Sequence, residues 1–192
     1  LIEAEQIEPH GELEVKHRYL SEVPKLMMQE KHSQAVNKCI YQRQGWAARN
    51  GGLEQRFIQW ASVDASVRAF CKISENRHTF ARLRYVRQDG LPAFYCPDFL
   101  VRTEEAIYLV ETKAQKDVNH PDVQRKLKAA QTWCERINAL PPEHRQALPW
   151  HYVLLGEAQF YDWQAKGAKL AELLGFARVR PVSSAALQGQ LL

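Results

Sequence analysis

The sequence predicts an α/β domain whose mixed β-sheet carries helices on both faces, in the order helix, three strands, helix, strand, with a further helix at the end. Two patterns predict it. Apolar residues spaced by three and four positions alternate with short runs of aromatic and β-branched residues, which are typical of helices and strands respectively. Three successive strands favour an antiparallel meander, and a helix between the third and fourth strands favours a parallel crossover. We therefore predict an α-β-β-β-α-β core.

Composition favours a globular domain rather than a membrane protein. A chain of 192 residues is long enough for one well-packed domain with extensions. Its 45% hydrophobic and 25% charged residues are ordinary values for a globular protein. No apolar run approaches the ~20 residues that a membrane span needs. The formal charge of +4 suits an anionic partner without requiring one.

The cysteines and the N-terminus indicate the compartment. The four cysteines, at positions 39, 71, 96 and 134, lack the CxxC spacing of a zinc knuckle or the density of a disulfide framework. Isolated cysteines of this kind are typical of a reducing compartment. The first residues lack the basic and then apolar order of a signal peptide. We expect a cytoplasmic protein, and the missing initiator Met leads us to expect a piece of a longer chain.

Three regions divide the chain: an N-terminal extension over residues 1–50, a domain over 51–176 and a C-terminal tail over 177–192. The extension is polar and irregular in its periodicity, and it ends at the breaker Asn50-Gly51-Gly52. We expect it to be partly helical: Lys25 to Tyr41 is compatible with one helix, although the apolar face of that helix is narrow.

The first element of the domain is a predicted helix over about 53–71. Its apolar stripe comprises Leu53, Phe57, Trp60, Val63, Val67 and Phe70. A helix turns 100° per residue, so Glu54 lies about 60° from Phe57, on the flank of the stripe. We therefore expect Glu54 at a boundary between core and solvent.

Strands and helices alternate over the rest of the domain. We predict strands over 79–86, 93–101 and 106–112, the first of them ending at a turn over Asp89-Gly90. His120-Pro121 opens a helix, since proline suits the first helical position, and the helix ends before Pro141-Pro142. Its predicted inner face comprises Val123, Leu127, Ala130, Cys134 and Ile137. A buried strand over 150–155 and a last helix over about 157–174, ending at Gly175, complete the order.

The register of the second and third strands places two carboxylates together. A two-residue turn at Glu104-Glu105 and a four-residue loop over 103–106 have the same centre, so in both cases paired residues have numbers that sum to 209. Because Glu-Glu suits a two-residue turn poorly, we favour the longer loop. Asp98 then lies opposite Glu111, with the two Cβ atoms roughly 4.5–5.5 Å apart.

Glu111 and Lys113 differ by two positions, so their side chains point to the same face of a strand. Two neighbouring carboxylates repel unless a cation lies between them, and oxygen ligands with room for water suit Mg²⁺. Lys113 is placed to orient or deprotonate a water molecule. The spacing alone also fits a solvated Glu–Lys pair, since the same triplet pattern occurs at Glu14-Val15-Lys16 without an accompanying Pro-Asp.

The motif resembles a known nuclease signature. Pro97-Asp98, twelve intervening residues and then Glu111-Thr112-Lys113 resemble the PD-(D/E)xK nuclease superfamily, which implies a restriction-endonuclease-like fold. Over roughly residues 41–155 the chain also resembles the C-terminal endonuclease domain of type III restriction helicase–nuclease subunits. That likeness rests on Gly52-Leu53-Glu54, Tyr95-Cys96-Pro97-Asp98-Phe99, Tyr108-Leu109-Val110-Glu111-Thr112-Lys113, and Val123-Gln124-Arg125-Lys126 leading to Trp133-Cys134.

The resemblance implies a complete catalytic site. Glu54, Asp98 and Glu111 would be metal ligands, the carbonyl of Thr112 a fourth, and Lys113 the catalytic lysine. The implied cofactor is Mg²⁺, with Mn²⁺ able to replace it, and the implied reaction is cleavage of double-stranded DNA leaving a 5′-phosphate. The chain lacks a GxxxxGK[ST] phosphate loop, so the resemblance implies a helicase/ATPase region elsewhere in the parent chain and a methyltransferase partner.

Two other interpretations stay open. One is a nuclease of the same fold in another setting, such as a transposase subunit or a repair enzyme. The other is a catalytically inactive nuclease-like module that binds DNA or docks a protein. Near the site, Gln124 and Lys128 are candidates for a further polar contact, with a solvated helix flank as the alternative. The exposed arginines of the first predicted strand, Arg82, Arg84 and Arg87, are candidates for phosphate contacts.

Overall fold

The N-terminal extension consists of strands and short turns. The computed structural model describes residues 1–6, 13–49 and 51–179. The extension contains β1 (Ile2–Gln6) paired antiparallel with β2 (Leu13–His17), and β3 (Ser33–Ala35) paired antiparallel with β4 (Arg43–Gly45). Among residues 1–6 and 13–49, helical content is limited to one-turn 3-10 helices at Leu20–Glu22 and Glu30–His32. The helix predicted over 25–41 is therefore wrong.

Tertiary contacts explain this difference. The buried Tyr41 hydroxyl lies 2.9 Å from the carbonyl oxygen of Leu20 and 2.8 Å from that of Val23. It also lies 2.8 Å from Nε2 of His78, a fully buried residue of the main domain. The extension thus folds back on the domain, and these long-range bonds outweigh a weak local preference for helix.

Over residues 51–179 the main domain has two strands and one α-helix more than the sequence predicts. It comprises α1 (Gly52–Val63), β5 (Val67–Lys72), β6 (Leu83–Val86), β7 (Pro92–Tyr95), β8 (Phe99–Thr103), β9 (Ile107–Lys113), α2 (Pro121–Asn138), β10 (Trp150–Gly156), α3 (Glu157–Ala165) and α4 (Leu170–Val179). The main sheet has the strand order β10-β9-β8-β5, with β5, β8 and β9 antiparallel and β10 parallel to β9. This mixed sheet, with its α-β-β-β-α-β core, confirms the predicted restriction-endonuclease-like fold.

Helices cover both faces of the sheet. On one face α1, α3 and α4 pack on residues such as Tyr108 and Val110, and on the other α2 packs on Ile107 and Leu109. The five predicted inner residues of α2 are all buried, which confirms that helix face. Because β9 is buried on both sides, it is a continuous apolar run up to Glu111. The side chains of Glu111 and Lys113 point to the same side of β9 as Ile107 and Leu109, which is the side that α2 covers.

A β-bulge explains why the first predicted helix was too long. The helix α1 ends at Val63, and Val67 and Phe70 pack in the core from β5 instead. The register shifts between Val67 and Ala69, so Val67 and Phe70 are both buried although three positions separate them. This spacing imitates a helical period. Asp64 closes the helix by accepting hydrogen bonds from Trp60 Nε1 (3.0 Å) and the Leu170 amide (2.8 Å).

The predicted strands over 79–86 and 93–101 also differ from the structure. Residues 83–86 and 92–95 form a separate two-stranded hairpin, β6–β7, outside the main sheet. Its turn contains Gly90 with φ of 83°, a left-handed conformation that favours glycine. The chain leaves the hairpin at Cys96 and enters β8 at Phe99, so Asp98 lies in the short connection between two strands.

The C-terminal part contains two helices where one was predicted. Helix α3 ends at Ala165, Gly167 turns the chain with φ of 70°, and α4 continues through Gly175 to Val179. The domain boundary predicted at residue 176 therefore falls inside α4, and residues 180–192 of the predicted tail lie outside the described residues. Within the described part of the chain, each helix is too short or too polar to cross a membrane.

Candidate active site

The register of β8 and β9 places Asp98 beside Glu111. Phe99 pairs with Val110 and Arg102 with Ile107, so paired numbers sum to 209, as predicted. Asp98 lies one residue before the first pair, and its carbonyl accepts a hydrogen bond from the Ile73 amide (2.8 Å).

The turn between these strands has the predicted centre at Glu104-Glu105. The Thr103 amide donates to the Ala106 carbonyl (2.9 Å), and the Thr103 hydroxyl accepts from the Ala106 amide (3.1 Å). A side-chain oxygen thus replaces the carbonyl that would close a regular two-residue turn. This closure fixes the register on which the site depends.

Thr112 holds the Asp98 carboxylate in place. Oδ2 of Asp98 accepts a hydrogen bond from the Thr112 amide (2.8 Å) and another from the Thr112 hydroxyl (2.7 Å). These two bonds come from the residue that follows Glu111, so the Asp98 side chain is directed across the end of the hairpin. Thr112 itself is buried.

Glu111 is a buried carboxylate with an incomplete set of partners. Only 4% of the surface of Glu111 is exposed to solvent. Oε1 lies 2.7 Å from the Lys113 ammonium, whereas Oε2 is buried and has no hydrogen-bond partner among the described residues. Burial, together with the nearby Asp98 charge, raises the pKa of the Glu111 carboxyl to about 7, although the Lys113 ammonium acts in the opposite direction. A second cation at Oε2 would stabilise the ionised form.

Lys113 is a half-buried cation in this arrangement. Burial lowers the pKa of its ammonium, but the attraction of Glu111 and Asp98 outweighs burial, so the pKa is raised overall. The side chain therefore stays protonated near neutral pH. It is placed to donate hydrogen bonds and to supply positive charge beside the two carboxylates.

Glu54 lines a cleft with Asp98, whereas Glu111 and Lys113 are not among the residues that line it. This cleft, of about 820 Å³, is lined by Glu54, Lys72, Asp98 and residues of the extension. Oε1 of Glu54 lies 3.0 Å from the Lys72 ammonium, and Oε2 accepts a hydrogen bond from the Ala47 amide (3.0 Å). The third acidic residue of the predicted set is thus directed to the cleft but is paired with a lysine.

The carboxylates fit a divalent cation in part. In the described part of the chain, no group of three or more histidine, cysteine, aspartate or glutamate side chains is arranged to hold a metal. Asp98 and Glu111 come together, and the buried, unpartnered Oε2 of Glu111 has the chemistry of an oxygen ligand awaiting a cation. The Thr112 carbonyl as a fourth ligand stays a prediction.

Sequence reasoning missed two cations near the site. Lys72 lies at the end of β5, where its ammonium pairs with Glu54. Lys126 lies on α2 with its ammonium 5.2 Å from the ring centre of Tyr95, and its charge helps to lower the pKa of Glu111. Of the candidates named from the sequence, Gln124 donates to the Val118 carbonyl (2.8 Å) and Lys128 is exposed. Lys126 borders the buried stripe of α2, a signal that could have identified it.

Residues 71–139 match the family model of the TnsA-like endonuclease N-terminal domain. The matched segment contains Asp98, Glu111 and Lys113 but not Glu54. It runs from the end of β5 through α2, which is the part of the fold that builds the site. The match is consistent with a PD-(D/E)xK nuclease and indicates a nuclease-like domain. Comparison with curated proteins finds no match, and neither does comparison with solved structures.

Proposed function

We propose that the chain is a metal-dependent endonuclease domain that hydrolyses phosphodiester bonds of double-stranded DNA. One observation carries the proposal: Glu111 is buried beside Asp98 with Oε2 unpartnered. A buried carboxylate without a full set of partners is costly, and a divalent cation at this position would relieve that cost. The TnsA-like endonuclease match over the same residues supports the choice of reaction.

Asp98 and Glu111 are the residues that would hold the ion, with Mg²⁺ as the expected metal and Mn²⁺ as a substitute. When bound, such an ion lowers the pKa of a water ligand and stabilises charge on a phosphoryl group. Thr112 keeps Asp98 oriented through two hydrogen bonds. Glu111 contributes its free oxygen, and its other oxygen positions Lys113.

Lys113 orients the attacking water or the scissile phosphate. Its ammonium lies 2.7 Å from Glu111, so it addresses groups that approach the same carboxylate. Because its pKa is raised, it acts as a cationic hydrogen-bond donor in the metal-free protein. Positive charge beside a phosphoryl group stabilises the negative charge that develops during transfer.

Glu54 would join the ligand set only if it leaves Lys72. In the metal-free arrangement the Lys72 ammonium, 3.0 Å from Oε1, neutralises this carboxylate. We propose that Lys72 takes up the substrate phosphate when Glu54 turns toward the ion. Both members of the pair line the cleft with Asp98, so the exchange needs no rearrangement of the sheet.

The matching family model bears on the kind of larger protein or complex in which the nuclease domain works. The matching model is that of a TnsA-like endonuclease and not of a type III subunit, which supports the alternative of a nuclease of the same fold in another setting, such as a transposase subunit. The type III cleavage module, with its helicase region and methyltransferase partner, stays a prediction from the sequence. The catalytically inactive module becomes an outcome of the test.

A plasmid cleavage assay tests the proposal. Wild-type protein should nick or linearise supercoiled DNA in Mg²⁺ and should not do so in EDTA. Asp98→Asn should be inactive. Asp162→Asn is a matched control, because Asp162 is an exposed aspartate of α3 that pairs with Lys166. Wild-type protein that shows Mg²⁺-dependent stabilisation but leaves the plasmid intact would support the inactive module instead.

A further inference from the structure

The outer face of the β6–β7 hairpin combines arginine with large exposed apolar side chains. Across the two strands Arg84 pairs with Phe94 and Val86 with Pro92. Phe94 is 62% exposed, Val86 is 53% exposed, and Leu91 in the turn is 58% exposed. Single exposed apolar residues are ordinary, but three of them on one hairpin mark an interaction surface.

The inner face of the hairpin is anchored on α2. The Tyr95 hydroxyl donates to the Lys126 carbonyl (2.9 Å), and the Lys126 ammonium lies 5.6 Å from the ring centre of Tyr85. At the turn, the Gln88 amide donates to Oδ1 of Asp122 (3.1 Å). A surface held this firmly loses little conformational entropy when it binds a partner.

A row of arginines leads from this face to the candidate active site. Arg82, directly before β6, is exposed like Arg84, and residues two apart point to the same side of a strand. Leu83 pairs with Tyr95, so Arg82, one position before Leu83, lies beside Cys96, one position after Tyr95. Cys96 lines the cleft together with Asp98. The row therefore begins at the edge of the cleft.

The charge of this surface selects the partner. Residues 82–94 contain three arginines and one acidic residue, Asp89, which pairs with Arg87 at 3.0 Å. Among the described residues, Arg82 and Arg84 have no carboxylate partner. Two residues of a strand span about 6.6 Å, so the side chains of Arg82 and Arg84 can reach separate phosphates of one DNA strand. Arginine forks match phosphate oxygens, and an exposed apolar ring can pack against a deoxyribose.

We infer that the outer face of the β6–β7 hairpin is a DNA-docking surface that holds the duplex beside the cleft. Arg82 and Arg84 contact phosphates of one strand, and Phe94 packs against a deoxyribose between them. The identity of the partner rests on the proposed nuclease function. The surface adds to that function a place for the substrate outside the catalytic cleft.

The test measures binding of a short fluorescent duplex by anisotropy, in EDTA and over a range of salt concentrations. For Arg82→Gln/Arg84→Gln the slope of log K against log salt should fall by about 2, since each phosphate contact contributes ~0.9. Lys166→Gln/Lys169→Gln is the matched control. It removes the same charge at the α3–α4 junction, on the opposite face of the sheet, and should leave the slope unchanged.

Phe94→Ser separates the apolar contact from the ionic ones. The affinity of the Phe94→Ser protein for the duplex should fall several-fold at every salt concentration, because an apolar contact releases no counterions. The slope should stay at the wild-type value. Circular dichroism of each variant checks that the hairpin, which remains anchored through Tyr95, is still folded.

The outcomes distinguish this inference from the proposed function. Binding that depends on Arg82 and Arg84, with no cleavage in Mg²⁺, would refute the nuclease and leave the docking surface intact. Active protein whose hairpin variants bind DNA with the wild-type slope would refute the surface alone. An equal slope change in the lysine control would also overturn it. The docking surface would also be refuted if the Phe94→Ser protein bound DNA normally but lost self-association in sedimentation. The outer face of the hairpin would then join two copies of the chain.

Discussion

Replacing Glu111 by glutamine should stabilise the metal-free protein at alkaline pH. Glutamine has nearly the shape of a protonated glutamate, so the variant fixes the neutral form of a side chain whose pKa is raised from 4.5 to about 7. Each pKa unit corresponds to about 1.4 kcal/mol. The free energy of unfolding of the variant should therefore exceed that of the wild type by up to about 3 kcal/mol above pH 7.

The sign of the pH dependence follows from proton binding. Between pH 4.5 and pH 7 the folded protein keeps a proton on Glu111 that the unfolded chain releases. The contribution of this group to wild-type stability is thus fully retained below pH 4.5, is lost as the pH rises toward 7, and then levels off. The Glu111→Gln variant lacks this dependence, so the two proteins should be equally stable near pH 4.5.

Urea unfolding in EDTA at pH 5 and pH 8 measures the effect. Glu105→Gln is the control, because Glu105 is an exposed glutamate in the turn of the same hairpin and should change stability little at either pH. Adding Mg²⁺ at pH 8 should then stabilise the wild type and not Glu111→Gln. A variant that is no more stable than the wild type at pH 8, or that gains as much at pH 5, would refute the account of Glu111 as a strained buried carboxylate.

Three further predictions concern catalysis and DNA binding. Asp98→Asn should abolish Mg²⁺-dependent cleavage, and full activity of this variant would contradict the prediction. Asp98→Ala should in addition lower the free energy of unfolding by ~1–3 kcal/mol, because the amide and hydroxyl of Thr112 lose their acceptor. Lys113→Ala should keep the Mg²⁺-dependent rise in melting temperature but cleave ~10²–10⁴-fold more slowly, and cleavage at the wild-type rate would show the motif assignment to be wrong. Wild-type protein should bind DNA of any sequence weakly, with affinity that falls steeply with salt; tight, salt-resistant binding to one sequence would count against it.

The register of the β8–β9 hairpin could be predicted from the sequence because the position of its turn determines it. The centre of a short turn fixes every pair in an antiparallel hairpin, and Phe99–Val110 follows from the position of Glu104-Glu105 alone. The inner face of α2 was predictable for a similar reason, since a helix buried on one side repeats its apolar residues with a regular period.

Elements whose pattern imitates another structure could not be predicted in this way. The bulge in β5 gives Val67 and Phe70 a helical spacing, so a strand of the main sheet was assigned to α1. Likewise, residues 83–86 alternate as a sheet strand does, but they pair with β7 in a separate hairpin. Deciding between such alternatives requires the tertiary packing.

Partners of the site residues depend on long-range contacts. Lys72 and Glu54 are eighteen positions apart and belong to different elements, yet their charged atoms are 3.0 Å apart. His78 is fully buried, and its ring forms hydrogen bonds with the Tyr41 hydroxyl and the Ser74 amide. Spacing along the chain carries no signal for either pair.

The geometry of one strand connects the Glu-x-Lys spacing to its chemistry. On β9 a spacing of two places Lys113 on the same face as Glu111, where the sheet and α2 bury the carboxylate. A buried carboxylate requires a cation, and in the metal-free protein the nearest cation is the Lys113 ammonium at 2.7 Å. A divalent ion at Oε2 would take over most of that neutralisation, leaving Lys113 beside it with its donors free to turn toward substrate. We therefore predict that Lys113, whose ammonium offsets the charge of Glu111, is required for catalysis but not for metal binding.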